Sequence, residues 1–126
     1  MINTFRAGER RRTETPNATM TTLASATLGT PTVCRCGRSR WPVARGDPGM
    51  SFDSEQVWTV LEGELTVELA GEERKLGAGD TVVLPSGAER QLTARTDVRL
   101  LVCARSDAIV RVPGEDAPRG TPPWIA

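Results

Sequence analysis

Leu65-Thr66-Val67-Glu68-Leu69 alternates apolar and polar residues with period two. A strand with one buried face meets that pattern and a helix does not, because successive strand side chains point to opposite faces. Ala70-Gly71-Glu72-Glu73 then reads as a hairpin turn, and Arg74-Lys75-Leu76 starts the return strand. The same pattern recurs on either side. Val57 to Leu61 is β-branched and aromatic and stops at a Glu62-Gly63 turn, while Thr81 to Leu84 is short, mostly apolar and stopped by Pro85-Ser86-Gly87. Gln91-Leu92-Thr93, Val98 to Ala104 and Ile109 to Val112 predict further strands. Upstream, Met20 to Leu23 and Thr32 to Cys36 predict two leading strands. Trp41 to Gly49, with Pro42, Gly46, Pro48 and Gly49, must bend repeatedly. No helical stripe exceeds two turns. Short strands with regular turn signals give an all-β sandwich or barrel.

A chain of 126 residues suits one domain whose core hides roughly two-thirds of the unfolded surface. Residues 1–16 are polar and end at Pro16, so they read as a flexible lead-in; residues 17–112 form the barrel, and residues 113–126 a Pro-rich tail. That tail carries Pro113, Pro118, Pro122 and Pro123 before Trp124, which either hangs loose or docks through its tryptophan. Sixteen basic residues balance sixteen acidic ones, so nothing draws the chain to nucleic acid or an acidic membrane. Arg6 and Arg10-Arg11-Arg12 are diluted by Glu9 and Glu14 and read as a solvated tail rather than a nucleic-acid arm. Three cysteines without dense spacing argue against a disulfide scaffold. No apolar run approaches the roughly 18 residues a membrane span needs, and arginines interrupt any secretory pattern at the start. A reduced, cytoplasmic setting is expected.

Two segments carry a family resemblance. Gln56 and Gly63 are separated by the six residues Val57-Trp58-Thr59-Val60-Leu61-Glu62; Gly79, Asp80, Pro85 and Gly87 follow in order. Together they resemble the cupin family, from about residue 43 to 104, and the resemblance implies a single jelly-roll β-barrel of cupin type. It also implies where a metal would sit. The family's first-motif histidines fall at Met50 and Phe52, its glutamate at Gln56, and its second-motif histidine at Arg90; the chain has no histidine at all. A transition metal needs several imidazole or carboxylate donors at one point. Met50 offers only a thioether, Phe52 nothing, and Arg90 is a permanent cation. No metal and no other cofactor is expected, and the family's metal-dependent oxygenation and isomerisation lose their support.

Strand alternation gives these positions a different reading. Met50 and Phe52 share a face, as do Gln56, Trp58 and Val60, so the barrel interior would be apolar and aromatic with one amide and one guanidinium. Met50, Phe52, Gln56, Trp58 and Arg90 are therefore the candidate ligand-binding residues. They suit a small, flat or hydrophobic organic molecule with a carboxylate, enolate or phenolate for Arg90 to grip. Under that reading the chain is a binding protein, or a metal-independent isomerase or cyclase. The other reading is a structural or regulatory domain in which Met50, Phe52 and Trp58 plug the barrel. Arg90 then pairs with Asp53, Glu55 or Glu89 near the rim, and function lies in dimer or tail contacts. Cys34 and Cys36 share a strand face and Cys103 lies on a late strand; as buried thiols they read as core rather than as metal ligands. Glu68 alternates outward, leaving Asp53 and Glu55 as the carboxylates to weigh as a general base. The resemblance, together with leading strands that would leave a bare sheet edge, implies a homodimer.

Overall fold

The structure, a computed structural model, describes residues 6–14, 18–24, 31–39, 50–94, 96–112, 114–123 and 125. After a turn of 3-10 helix at Ala7–Glu9 come eleven strands: β1 Arg11–Glu14, β2 Thr19–Ala24, β3 Pro31–Ser39, β4 Ser51–Phe52, β5 Gln56–Glu62, β6 Leu65–Leu69, β7 Glu72–Leu76, β8 Thr81–Leu84, β9 Arg90–Ala94, β10 Asp97–Arg105 and β11 Val110–Arg111. They assemble into a six-stranded sheet ordered β1-β2-β3-β10-β5-β8, a three-stranded sheet β7-β6-β9 and a two-stranded ladder β11-β4. Every pairing is antiparallel. From β5 onward the chain passes back and forth between the two larger sheets, and this is the all-β barrel that the alternation predicts. The bend expected over Trp41 to Gly49 lies outside the described residues.

The turns close it locally. Leu69 pairs directly with Glu72, so the β6–β7 loop is two residues, Ala70 at φ 49° and Gly71 at φ 82°. Positive φ at both positions is the primed turn whose twist matches a hairpin. Glu72 and Glu73 therefore belong to the return strand and not to the turn. Gly63, at φ 84°, is a different case: a Cβ there would overlap the Asp97 carbonyl, so the β5–β6 crossover admits only glycine. Between β10 and β5 the register slips at Arg99/Leu100, leaving Leu61 without a partner and exposed beside the buried Val60.

Inward residues of the two larger sheets form the main core. Met20, Cys36, Trp58, Val60, Leu100 and Val102 of the six-stranded sheet face Leu65, Val67, Leu92 and Ala94 of the other. A second cluster of Phe52, Ala104, Ala108 and Ile125, with Met50 and Val110 against it, is separate from the first. Two features depart from the division expected along the chain. Arg11–Glu14, inside the stretch read as a lead-in, is the edge strand β1 on β2. Its polarity suits an edge, where most of the strand meets water. The tail also docks. Val110 N donates to Gly120 O at 3.1 Å, Arg119 N to Val110 O at 2.9 Å, and Thr32 Oγ1 to Ile125 O at 2.6 Å, with the Ile125 side chain fully buried. Trp124 itself lies outside the described residues.

Candidate functional site

Arg90 opens β9, whose inward series is Arg90, Leu92 and Ala94, so its side chain enters the barrel by the same alternation that buries the other two. Its backbone is clamped. Met50 N donates to Arg90 O at 3.1 Å and Arg90 N to Met50 O at 2.9 Å. The preceding Pro85-Ser86-Gly87 turn is fastened to the same segment, through Gly87 N to Phe52 O at 2.8 Å and Ser86 Oγ to Asp53 O at 2.8 Å. This places the guanidinium over the Phe52 ring, 4.6 Å from its centroid.

Arg90 is 1% exposed, and Nε, Nη1 and Nη2 all lack a hydrogen-bond partner among the described residues. Burial pushes its pKa down to about 10, since the guanidinium is stripped of water. Gln56, fully buried at the start of β5, accepts from Trp58 Nε1 at 3.1 Å through Oε1, while its Nε2 has no partner among the described residues. The structure thus forms two groups: Met50, Phe52 and Arg90 in one, Gln56 and Trp58 in the other. Gln56 is paired with Leu84, the residue that leads into the Pro85-Ser86-Gly87 turn before Arg90, so both groups lie at one end of the barrel. Trp58 packs into the main core, and Met50 is half-buried against the second cluster.

Other expectations change. Arg90 makes no ion pair with Asp53, Glu55 or Glu89, all three of which are exposed. Asp53 is engaged elsewhere: Oδ1 accepts Ile109 N at 2.8 Å, joining β4 to the approach to β11. Neither Asp53 nor Glu55 has the burial that a general base would require, and Glu68 is exposed as its alternation predicts. The three thiols do not converge. Cys34 and Cys36 point into the core, where burial raises the Cys34 pKa, whereas Cys103 pairs with Val33 and Val57 on the outer face. The residue types at the expected metal positions do not suit a metal either. Phe52 has no donor atom, Gln56 Oε1 is already taken by Trp58, and the Arg90 cation would repel a metal ion.

Residues 50–104 match the family model of the cupin domain. That part of the barrel is similar to a cupin domain. Among solved structures, the chain is similar to hydroxypropylphosphonic acid epoxidase from S. wedmorenis (TM-score 0.73, 12% identity), over 82% of this chain and 59% of that one. HppE in its Fe(II) form aligns likewise (TM-score 0.73, 12% identity, 82% and 60%). Pac13, a nucleoside dehydratase, aligns over 82% of both chains (TM-score 0.65, 19% identity) and has been solved from Streptomyces with uridine. This chain therefore spans less than two-thirds of the epoxidase it matches, and identities this low carry the fold alone. No curated protein sequence matches the chain. Among the described residues no helix is long and apolar enough to cross a membrane.

Proposed function

We propose that this cupin-like barrel binds a small organic anion with an apolar body in its interior, held by Arg90 and Gln56 and not by a transition metal. The observation that carries the reading is the Arg90 guanidinium: buried, with none of its nitrogens hydrogen-bonded to a described residue. An ion in a protein interior costs several kcal/mol unless it is paired, and each unsatisfied buried donor adds roughly 1–3 kcal/mol. A fold that keeps this arrangement is explained by a ligand that supplies the charge and the acceptors. Water could occupy the donors but would bring no charge.

Binding is better supported than proton-transfer chemistry. The buried polar residues among those described are Thr22, Thr32, Gln56 and Arg90, and the ionisable one titrates near 10. An isomerase or cyclase on this scaffold would act by orienting its substrate and stabilising an enolate against Arg90, not by passing protons through these side chains. The fold does not select the ligand, since one neighbour is named for a phosphonic acid and another for nucleoside dehydration.

A filled, non-catalytic barrel has one observation in its favour: Phe52 and Trp58 are 3% and 7% exposed and each packs into a core cluster. Native mass spectrometry of freshly purified protein separates the two. A small-molecule adduct on the wild type that is missing from Arg90→Met supports the anion site. Bare chain mass in both supports the filled barrel, and a bound iron, zinc or manganese refutes the metal-free reading.

We also propose a homodimer. The six-stranded sheet ends in the open edge β1, and its outer face carries the half-exposed row Val33, Cys103, Val57 and Val83 across four paired strands. Sedimentation should show a species of twice 13.6 kDa at micromolar concentration. A single species at the chain mass excludes it.

A further inference from the structure

The hydrogen-bonding inventory at the Arg90 end of the barrel narrows the ligand further, provided the anion reading holds. Arginine carries five N–H donors and no acceptor, and Gln56 Nε2 adds two donors. The oxygen of that amide accepts from Trp58 Nε1. The Thr32 hydroxyl donates to Ile125 O, and Thr22 Oγ1 accepts from Cys34 Sγ. Of the partnerless buried side-chain atoms, only Ser54 Oγ, at the β4–β5 corner, can accept; the others are nitrogens. Among the described residues, the polar side-chain atoms left without a partner around Arg90 and Gln56 are donors.

The charge count is equally restrictive. Arg90 is the buried charge among the described residues, and the carboxylates near it in sequence, Asp53, Glu55 and Glu89, are exposed. One negative charge neutralises it. A second would leave a net anion in the interior, at the several-kcal/mol cost of an unpaired buried ion. Geometry agrees. Phe52 covers one face of the guanidinium, and the N–H donors in its plane, where a carboxylate makes two parallel N–H···O bonds, have no partner among the described residues.

We propose that the ligand is a monocarboxylate whose buried end bears acceptors only, seated edge-on against Arg90 with its apolar body toward Phe52 and Met50. Dianionic phosphate heads and amide or hydroxyl donors are disfavoured at this end.

A phenyl head-group series tests this on the wild-type protein by titration calorimetry, with benzoate, benzamide and phenyl phosphate at pH 8 and pH 5. A phosphate monoester loses its second proton near pH 6, so phenyl phosphate is a dianion at the higher pH and a monoanion at the lower. Benzoate should bind at least tenfold more tightly than phenyl phosphate at pH 8, with the gap narrowing at pH 5, and benzamide should not bind. Arg90→Lys, which keeps the charge but loses the fork, should weaken benzoate at least tenfold. Phenyl phosphate binding as tightly as benzoate at pH 8, or benzamide binding comparably, overturns the monocarboxylate inference while an anion site stands. If neither anion binds the wild type, both the inference and the anion reading fall.

Discussion

Replacing Arg90 by methionine should make the ligand-free protein more stable. The side chain keeps most of its volume, and it loses a charge that no described residue compensates. A pKa brought down by burial to about 10 corresponds to about 3 kcal/mol of stability withheld from the native state at neutral pH. The variant forfeits the stack on Phe52, worth about 1–2 kcal/mol for a desolvated cation over a ring. The balance is a gain on the order of 1–2 kcal/mol, which for a domain of this size raises Tm by roughly 3–10 °C. The sign with pH is also determined. A base whose folded pKa is depressed carries its full penalty below the folded value, and the penalty is relieved as pH rises above about 10, where the unfolded chain still holds the proton. The gap between variant and wild type should therefore be level through neutrality and begin to close above about pH 10. Urea unfolding of both proteins at pH 7, 9 and 10.5 measures it. A variant less stable than the wild type at pH 7, or a gap that widens with pH, would show that Arg90 is compensated in the folded protein and would remove the basis for an anion site.

Gly63→Ala should lower Tm far more than Gly71→Ala. Both have positive φ, which costs about 1–2 kcal/mol for an L residue, but only at Gly63 does the new Cβ overlap a backbone oxygen. Equal losses in thermal melts would refute the crossover argument. Ile125→Ala should cost about 2–4 kcal/mol and Thr32→Val about 1 kcal/mol, with the double variant less than additive because both loosen the same docked tail. Denaturant melts of the four proteins in that cycle decide it, and a negligible loss for Ile125→Ala would mean that the tail is not held as described. A thiol reagent should label Cys103 in the native protein and spare Cys34 and Cys36, with all three reacting after unfolding; rapid native labelling of Cys34 or Cys36 would contradict their burial.

The strands were legible because period-two alternation is a local signal. Leu65 to Leu69 and Val98 to Ala104 show on the page which side chains are buried. So was the inward set of Phe52, Gln56 and Trp58, since parity along a strand fixes the face, whereas Arg90 was reached through the family resemblance. Strand β1 was less legible. An edge needs few apolar residues, so Arg11–Glu14 resembles a solvated tail until its pairing with β2 is seen. Cross-strand pairing also decides matters that spacing leaves open. Cys103 proved to lie on the opposite face from Cys34, and Asp53 was drawn away from Arg90 by the Ile109 amide, a contact between residues 56 apart in sequence. Burial of Ile125 had one signal, the apolar residues that end a tail otherwise rich in proline.

The clamp between the Met50–Asp53 segment and the turn before Arg90 has a consequence for how the barrel can be read from outside. Four hydrogen bonds, from Met50 N, Arg90 N, Gly87 N and Ser86 Oγ, tie the carrier of the ring to the carrier of the cation. Neither can shift without straining the other, so a molecule settling against the guanidinium steadies a turn whose Ser86 and Gly87 face solvent. The Gly87 amide is well placed as a gauge. Its hydrogen-exchange rate should slow on occupancy although it touches no part of the ligand. Loading of the interior can then be followed at an amide on the surface, without a label and before the ligand has a name.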